Sequence, residues 1–172
     1  YGAHTGHVNS RMLKNIGAHF VIIGHSENRE QGESDKLINL KIKSALEAKL
    51  KVIFCIGETL NEKRKKKTQS VLSKQIKIGL KDIKNKSNIL IAYEPVWAIG
   101  TGIVPKSKDL LKTVKFIKSK FKDKSPKVLY GGSVNPQNIK NLKEINNIDG
   151  FLIGGASQNA NKFIDIVKKT YS

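Results

Sequence analysis

Residues 92–102 read Ala-Tyr-Glu-Pro-Val-Trp-Ala-Ile-Gly-Thr-Gly and directly continue the apolar run at residues 89–91. The apolar run predicts a short buried strand, and Pro95 ends it because proline has no N–H to donate to a neighbouring strand. Glu94 is therefore expected at the carboxyl end of a strand, where α/β proteins keep their catalytic groups. An isolated Glu-Pro is also compatible with a turn whose carboxylate is simply solvated.

Short apolar runs recur along the chain, at residues 20–23, 52–56, 89–92, 128–130 and 151–153. They are continuous rather than alternating, which is typical of strands buried on both faces of a parallel sheet. Each is followed by a glycine or a polar residue and then by a helical pattern. This repeat predicts an α/β fold, with residues 1–172 in a single domain. An open doubly wound sheet is an alternative, although no Gly-x-Gly-x-x-Gly fingerprint follows the first run.

Residues suited to helix starts precede several of the helical patterns. Thr59 and Glu62 have the spacing of a capping box, and Ser107 can cap the helix that follows it. Asn135 stands before Pro136, which suits the first position of a helix. In the last helix we expect the apolar side chains to face inward; they are Phe163, Ile166 and Val167.

The chain is strongly basic, with 32 Lys and Arg against 14 Asp and Glu and a net charge of +18. Such a field attracts nucleic acid, acidic membranes and phosphorylated metabolites. Because the lysines are spread over nearly every predicted helix and aromatic residues make up 6% of the chain, we interpret the charge as a solvated surface. No apolar run approaches the roughly 18 residues of a membrane span, so we expect no membrane partner. The single cysteine, Cys55, suits a reducing cytoplasm.

His25 follows the first apolar run within Gly24-His25-Ser26-Glu27. A lone histidine there is usually structural, but the carboxyl ends of parallel strands converge on one pocket, so His25 and Glu94 are expected to meet. A helix starting at Ser26 would favour the neutral imidazole, which can donate a hydrogen bond to a carbonyl. Cys55 is expected to be buried and inert, and Glu58 to be a structural anion.

Paired glycines follow the last two predicted strands, in Gly131-Gly132-Ser133 and in Gly154-Gly155. One such pair indicates a tight turn, whereas two at neighbouring strand ends favour a phosphate site, because backbone N–H groups can approach an anion there. No group of His, Cys, Asp and Glu has metal-ligand spacing, so we expect no metal and no cofactor.

Together, residues 24–27, 55–59, 93–102, 130–133 and 154–157 resemble the triosephosphate isomerase family in order and spacing. The resemblance implies a (β/α)₈ barrel enzyme of glycolysis and gluconeogenesis, a cytoplasmic homodimer without a specific nucleic-acid partner. It interconverts dihydroxyacetone phosphate and glyceraldehyde 3-phosphate. In that family's terms, Glu94 moves the proton between the two carbons, His25 polarises the carbonyl oxygens and Glu27 supports the histidine and a lysine.

The resemblance also implies a lid and a set of phosphate-binding residues. The implied lid consists of Val96, Trp97, Ala98, Ile99, Gly100 and Thr101. The implied N–H donors to the substrate phosphate are Gly100, Ser133, Gly154 and Gly155.

The sequence departs from the family at its beginning. The family's first strand ends in Asn-x-Lys, whereas no predicted strand here does, and residues 2–6 are similar to the loop after the family's third strand. His7 also replaces a usual acidic residue near the dimer contact. We therefore expect a partial barrel of five parallel strands with outer helices, inactive alone. The alternatives are a non-catalytic remnant, a basic nucleic-acid-binding module, and another phosphate-binding barrel.

Overall fold

The computed structural model describes residues 3–121 and 125–172, and its centre is a parallel sheet. The strands pair in chain order, β1-β2-β3-β4-β5, and every pairing among them is parallel. This confirms the prediction that the apolar runs are parallel neighbours. The strands are β1 (Phe20–Ile23), β2 (Lys51–Ile56), β3 (Ile89–Tyr93), β4 (Val128–Tyr130) and β5 (Gly150–Phe151).

Helices connect successive strands and cover the outer face of the sheet. They are α1 (Ser10–Asn15), α2 (Ser26–Glu30), α3 (Asp35–Glu47), α4 (Leu60–Arg64), α5 (Thr68–Gly79), α6 (Ser107–Lys118), α7 (Ile139–Lys143) and α8 (Ala160–Tyr171). Short 3₁₀ helices span Val96–Ala98 and Gly155–Gln158. Within the described ranges, no helix is long and apolar enough to cross a membrane.

The core lies between the helices and the sheet, where apolar residues recur at helical spacing. Burying such a stripe contributes about 2 kcal/mol for each large aliphatic side chain. One hydrophobic cluster runs from Ile23 on β1 to Ile166 on α8. Its fully buried helical members include Ile38 and Ile42 of α3, Leu72 of α5, and Val114 and Ile117 of α6.

Burial on both faces, expected for all five runs, is wrong for β1. Ile22 is 51% exposed and Phe20 is also exposed. The described chain pairs β1 with β2 alone, so side chains of β1 have protein on fewer sides. A continuous apolar run thus indicates a parallel strand without showing how many neighbours the strand has.

The helix starts agree with the sequence prediction at one of three positions. Thr59 and Glu62 form the predicted capping box at α4. Ser107 instead lies inside the first turn of α6, whose N-cap is Lys106. Asn135 is not a cap either: its Oδ1 accepts from the N–H groups of Gln137 and Asn138 in an Asx turn, and α7 begins later, at Ile139.

The last strand and the last helix also differ from expectation. β5 ends at Phe151 rather than at residue 153, although the N–H of Leu152 still donates to the carbonyl of Tyr130 at 3.0 Å. Ile166 faces inward as predicted, but Phe163 and Val167 are exposed. Helix α8 packs mainly on α7 and the adjacent 3₁₀ turn, which cover only one strip of its surface.

Candidate active site

The structure brings His25 and Glu94 together at the carboxyl edge of the sheet. His25 follows β1 and Glu94 follows β3, so two strand ends separated by β2 supply the pair. The Nε2 atom of His25 lies 3.4 Å from Oε1 of Glu94, and the carboxylate is buried. A buried carboxylate beside an imidazole is an arrangement that can exchange a proton with a bound molecule.

The helix start at α2 determines which nitrogen of His25 carries the proton. His25 is the N-cap of α2, and its Nδ1 accepts from the N–H of Glu27 at 3.3 Å. An accepting Nδ1 has no hydrogen, so the proton of the neutral ring is assigned to Nε2, the atom that faces Glu94. The helix start considered at Ser26 is present, and the bond from the N–H of Glu27 to Nδ1 fixes the tautomer.

Glu27 contacts His25 through its backbone. Its carboxylate is 80% exposed and lies 4.0 Å from Nδ1 of His25. An exposed carboxylate at that distance adds little to the binding of the imidazole. The N–H of Glu27 is therefore the group that holds the ring in place.

Burial raises the pKa of the Glu94 carboxyl above its ordinary value of 4.5. His25, the thiol of Cys55, the N–H of Ser26 and Arg29 oppose the shift by favouring the charged form. A carboxylate with a raised pKa holds a proton more firmly and is a better general base near neutral pH.

Two glycines make room for Glu94, because neither has a side chain in the volume that Glu94 occupies. A Cβ on Gly57 would lie 1.7 Å from the carbonyl oxygen of Glu94, and one on Gly131 would lie 2.8 Å from its Cγ. The backbone N–H of Glu94 donates to the carbonyl of Ile56 at 2.8 Å, which continues the β2–β3 pairing to this residue. Gly131, which the sequence predicted as part of a phosphate site, is thus a packing position in the structure.

Arg29 joins the ends of β1 and β2 beside the pair, a role that the sequence analysis missed. Its Nε donates to the carbonyl of Gly24 at 2.7 Å and its guanidinium to that of Cys55 at 3.1 Å. The same guanidinium forms an ion pair with Asp35 at 2.7 Å. No local pattern indicates this role, since Arg29 and Asp35 are six positions apart and the other partners of Arg29 are backbone carbonyls.

Gln75 is a second residue that the sequence analysis missed. Its side-chain amide accepts from the N–H of Gly57 and donates to the carbonyl of Gly57, both at 3.0 Å. This pair of bonds satisfies a buried loop that has no strand partner there. A glutamine on the inner face of a helix was the only indication in the sequence.

Cys55 and Glu58 lie where the sequence analysis expected them. Cys55 is a free, buried cysteine, and burial raises the pKa of its thiol far above the usual range, so it is a poor nucleophile. Glu58 is buried and accepts from the hydroxyl of Tyr93 at 3.1 Å and from the indole N–H of Trp97 at 3.0 Å. These contacts are structural.

The segment after Glu94 is attached at both ends. At its start, the N–H of Val96 donates to the carbonyl of Glu58 at 3.1 Å. At its far end, the hydroxyl of Ser133 donates to the carbonyl of Ala98 at 2.7 Å and accepts from the N–H of Gly102 at 3.0 Å. Gly102 and the intervening Gly100 have φ of +76° and +68°, so the chain bends where glycine permits it.

The remaining predicted residues lie in the loops after β4 and β5. Ser133 follows β4, and Gly154 and Gly155 follow β5, with Gly155 at the start of the 3₁₀ helix. Both of these glycines are exposed, and a Cβ on either would meet open space. Among the residues described, no group of three or more His, Cys, Asp and Glu could hold a metal ion.

Comparison with known proteins identifies the family. A family model described as triosephosphate isomerase matches residues 1–170. The chain belongs to the triosephosphate isomerase family. Nearly the whole length of the chain therefore carries the family pattern.

Several bacterial members of the triosephosphate isomerase family are similar to this chain. The triosephosphate isomerase of Thermodesulfovibrio yellowstonii is 46% identical over 174 residues, which cover 97% of this chain and 71% of that protein. That of Fusobacterium nucleatum is 46% identical over 177 residues, covering 97% and 70%. The chain therefore spans about seven-tenths of the length of these relatives.

The fold agrees with that of the triosephosphate isomerase family. The crystal structure of triosephosphate isomerase from Bartonella henselae matches with a TM-score of 0.91 and 40% identity. The match covers 100% of this chain and 73% of that one. The five parallel strands and their outer helices thus correspond to part of a (β/α)₈ barrel, as predicted.

Proposed function

We propose that Glu94 and His25 perform the proton transfer of a triosephosphate isomerase, interconverting dihydroxyacetone phosphate and glyceraldehyde 3-phosphate. The observation that carries the proposal is the contact between Nε2 of His25 and the buried carboxylate of Glu94 at 3.4 Å. The proton assigned to Nε2 gives this pair one hydrogen-bond donor and one base, which are the two groups the reaction needs.

In the forward direction, Glu94 removes a proton from the carbon bearing the hydroxyl of dihydroxyacetone phosphate. The electron pair moves into the neighbouring carbonyl and forms an enediolate, whose developing charge accepts a hydrogen bond from Nε2 of His25. A proton passes from the hydroxyl oxygen on the first carbon to the oxygen on the second carbon by way of Nε2 of His25. Glu94 returns its own proton to the second carbon, which leaves a carbonyl on the first carbon and yields glyceraldehyde 3-phosphate.

Gly100, Ser133, Gly154 and Gly155 are proposed to donate backbone N–H groups to the substrate phosphate. The support is their position in loops at the carboxyl edge of the sheet and the open space around both glycines of the last loop. The basic charge of the chain favours the approach of a phosphate dianion. The hydroxyl of Ser133 is already bound to the lid, so its proposed phosphate contact is the N–H.

Val96, Trp97, Ala98, Ile99, Gly100 and Thr101 are proposed to close over the substrate as a lid. Exclusion of water would protect the enediolate and strengthen the hydrogen bonds to it. Glu27 is proposed to support His25 through its backbone N–H, while its exposed carboxylate is left to contact a lysine.

The proposal extends to organisation and setting. Residues 1–172 would form one domain of a homodimeric enzyme without a sequence-specific nucleic-acid partner. The support for one domain is that a continuous hydrophobic cluster joins β1 to α8 across the described residues. The free, buried cysteine supports a reducing cytoplasm.

The test supplies the barrel units that the relatives have in addition. The purified 172-residue chain is assayed alone and with the first part of a relative, either fused or co-expressed, for conversion of glyceraldehyde 3-phosphate. We expect little turnover from the chain alone. The lysine of the family's Asn-x-Lys would then be absent from the site, and loss of one such preorganised charged group costs about 10²–10³ in rate. Completing the barrel with the first part of a relative should restore turnover.

Glu94→Asp in the completed barrel then tests the base. Shortening the side chain by one methylene retracts the carboxylate by about 1 Å, which should lower kcat about 100-fold. Glu144→Asp, the same change at an exposed position of the chain, is the matched control and should leave kcat unchanged. Full turnover by the chain alone would contradict the need for the additional units, and unchanged turnover in Glu94→Asp would contradict the base.

A further inference from the structure

Lys63 lies on the indole ring of Trp97, at the start of the proposed lid. Its Nζ is 3.1 Å from the ring centroid, within the range of a cation–π contact. The edge of the same indole donates its N–H to the buried carboxylate of Glu58 at 3.0 Å. We call the three residues Glu58, Lys63 and Trp97 the indole clamp.

Both partners of the indole come from one short segment of chain. Glu58 follows β2, and Lys63 lies in α4, which the capping box of Thr59 and Glu62 begins immediately afterwards. The N–H of Lys63 donates to the carbonyl of Thr59 at 3.0 Å, so the capped turn determines where Lys63 projects. The segment from Glu58 to Lys63 therefore presents an anion and a cation to the one side chain of Trp97.

The charges on the two partners favour the same position of Trp97. An aromatic face attracts a cation and an indole N–H attracts an anion, so Lys63 and Glu58 act on different parts of the ring. Within the described ranges, Glu58 forms no ion pair, and its side-chain donors there are the neutral groups of Tyr93 and Trp97. Lys63 is thus a cation next to a buried carboxylate, with the indole between them.

Lys63 differs in this respect from the rest of its basic run. Residues 63–67 are all lysine or arginine, and they belong to the basic charge that we interpreted as a solvated surface. The exposed Lys66 in the same run has no aromatic contact among the described residues. Charge alone therefore does not account for the position of Lys63, and Lys66 serves as a matched control.

We propose that Lys63 is a positioning residue for the lid, holding Trp97 against Glu58 until the segment moves. The proposal rests on the proposed function for the identity of the lid. Any motion that carries Trp97 away must break the cation–π contact together with the Glu58 hydrogen bond. The lid has two states, one with Trp97 held against Glu58 and one with Trp97 moved away. Loss of an exposed cation–π contact should change the ratio of the two populations by about two- to fivefold.

The experiment uses the fluorescence of Trp97, which is the single tryptophan of the chain. Time-resolved anisotropy of the 172-residue protein gives the ratio of immobile to mobile indole. We expect Lys63→Met, which retains the apolar stem without the charge, to lower this ratio by about two- to fivefold. Lys63→Arg should restore the ratio because it restores a cation, and Lys66→Met should leave it unchanged.

The readout requires no turnover, so it separates this proposal from the proposed function. An equal ratio in Lys63→Met and the unsubstituted protein would overturn the clamp, as would an equal fall in Lys66→Met. Failure of Lys63→Arg to restore the ratio would show that the positive charge does not position the ring, and would also overturn the clamp. Lys63 is exposed, so we expect cooperative thermal unfolding of each variant. If Lys63→Met does not fold, Lys63→Gln carries the same comparison.

Discussion

At the scale of single residues, the chemistry of Glu94 depends on neighbours that exclude water and neighbours that leave room. Burial raises its pKa, while Gly57 and Gly131 have no side chain in the volume that its backbone and Cγ occupy. The sequence showed where Glu94 would lie, because a proline follows a buried run. It did not show the two glycines as packing positions, since they come from other strand ends.

The raised pKa of Glu94 predicts a pH dependence of stability. A carboxyl whose pKa is raised on folding binds more protons in the native than in the unfolded state, so stability falls as pH rises from about 4.5 through the native value. The slope from one such group is at most about 1.4 kcal/mol per pH unit. Glu94→Gln should remove this fall and raise stability at neutral pH, measured as the urea midpoint against pH. Glu27→Gln, at an exposed carboxyl, should retain the fall; if both variants behave alike, the shift does not belong to Glu94.

The close approach at Gly57 predicts a large cost for one methyl group. Gly57→Ala would place a Cβ 1.7 Å from a backbone oxygen, which cannot move without disturbing β3. We expect a loss of about 3 kcal/mol or more in the free energy of unfolding by urea. Gly155→Ala, where the added Cβ meets open space, should change it by no more than about 0.5 kcal/mol. Equal costs at the two positions would contradict the packing argument.

At the scale of elements, local signals predicted the strands, whereas of the side chains expected on the inner face of the last helix only Ile166 is buried. The runs at residues 20–23 and 128–130 became β1 and β4 without change, and the stripe of α6 faces the core. Ser107 and Asn135 failed as caps because a capping residue can also enter a turn, and the sequence does not say which it does. Contacts such as Trp97 with Glu58 join residues 39 positions apart, and no local pattern indicates them.

The attachment of the lid to Ser133 predicts a change in local opening. Ser133→Ala removes the acceptor of the Gly102 N–H and the donor to the Ala98 carbonyl. One hydrogen bond of about 1 kcal/mol net corresponds to roughly fivefold in an opening equilibrium. Amide hydrogen exchange at Gly102 should therefore be at least about fivefold faster. Ser119→Ala, which removes a hydroxyl bond at the end of α6, should leave exchange at Gly102 unchanged. Unchanged exchange at Gly102 in Ser133→Ala would show that the lid is held elsewhere.

At the scale of the whole molecule, the departures from the sequence prediction lie at the two ends of the sheet. Ile22 on β1 and Phe163 and Val167 on α8 are exposed, whereas central strands and helices are buried as expected. The inference from hydrophobic pattern to burial assumes a neighbour on each side, and that assumption holds only inside the sheet. Glu94 follows the central strand β3 and is buried, whereas His25 follows the edge strand β1 and is half-buried.

The net charge of +18 is the remaining property of the whole molecule that calls for a test. Six lysines line a groove of ≈ 880 Å³ at the amino ends of the strands, on the opposite edge from Glu94; they are Lys51, Lys77, Lys84, Lys86, Lys120 and Lys127. If the charge is a solvated surface, duplex DNA should bind weakly and be released steeply by added salt, because counterion release dominates. The groove lysines should then matter no more than others. We expect Lys84→Glu with Lys86→Glu, and separately Lys65→Glu with Lys66→Glu outside the groove, to weaken DNA binding to a similar extent in a salt titration followed by fluorescence anisotropy. Tight binding that persists at about 0.5 M salt and is lost only in the groove variant would instead make the groove a nucleic-acid site.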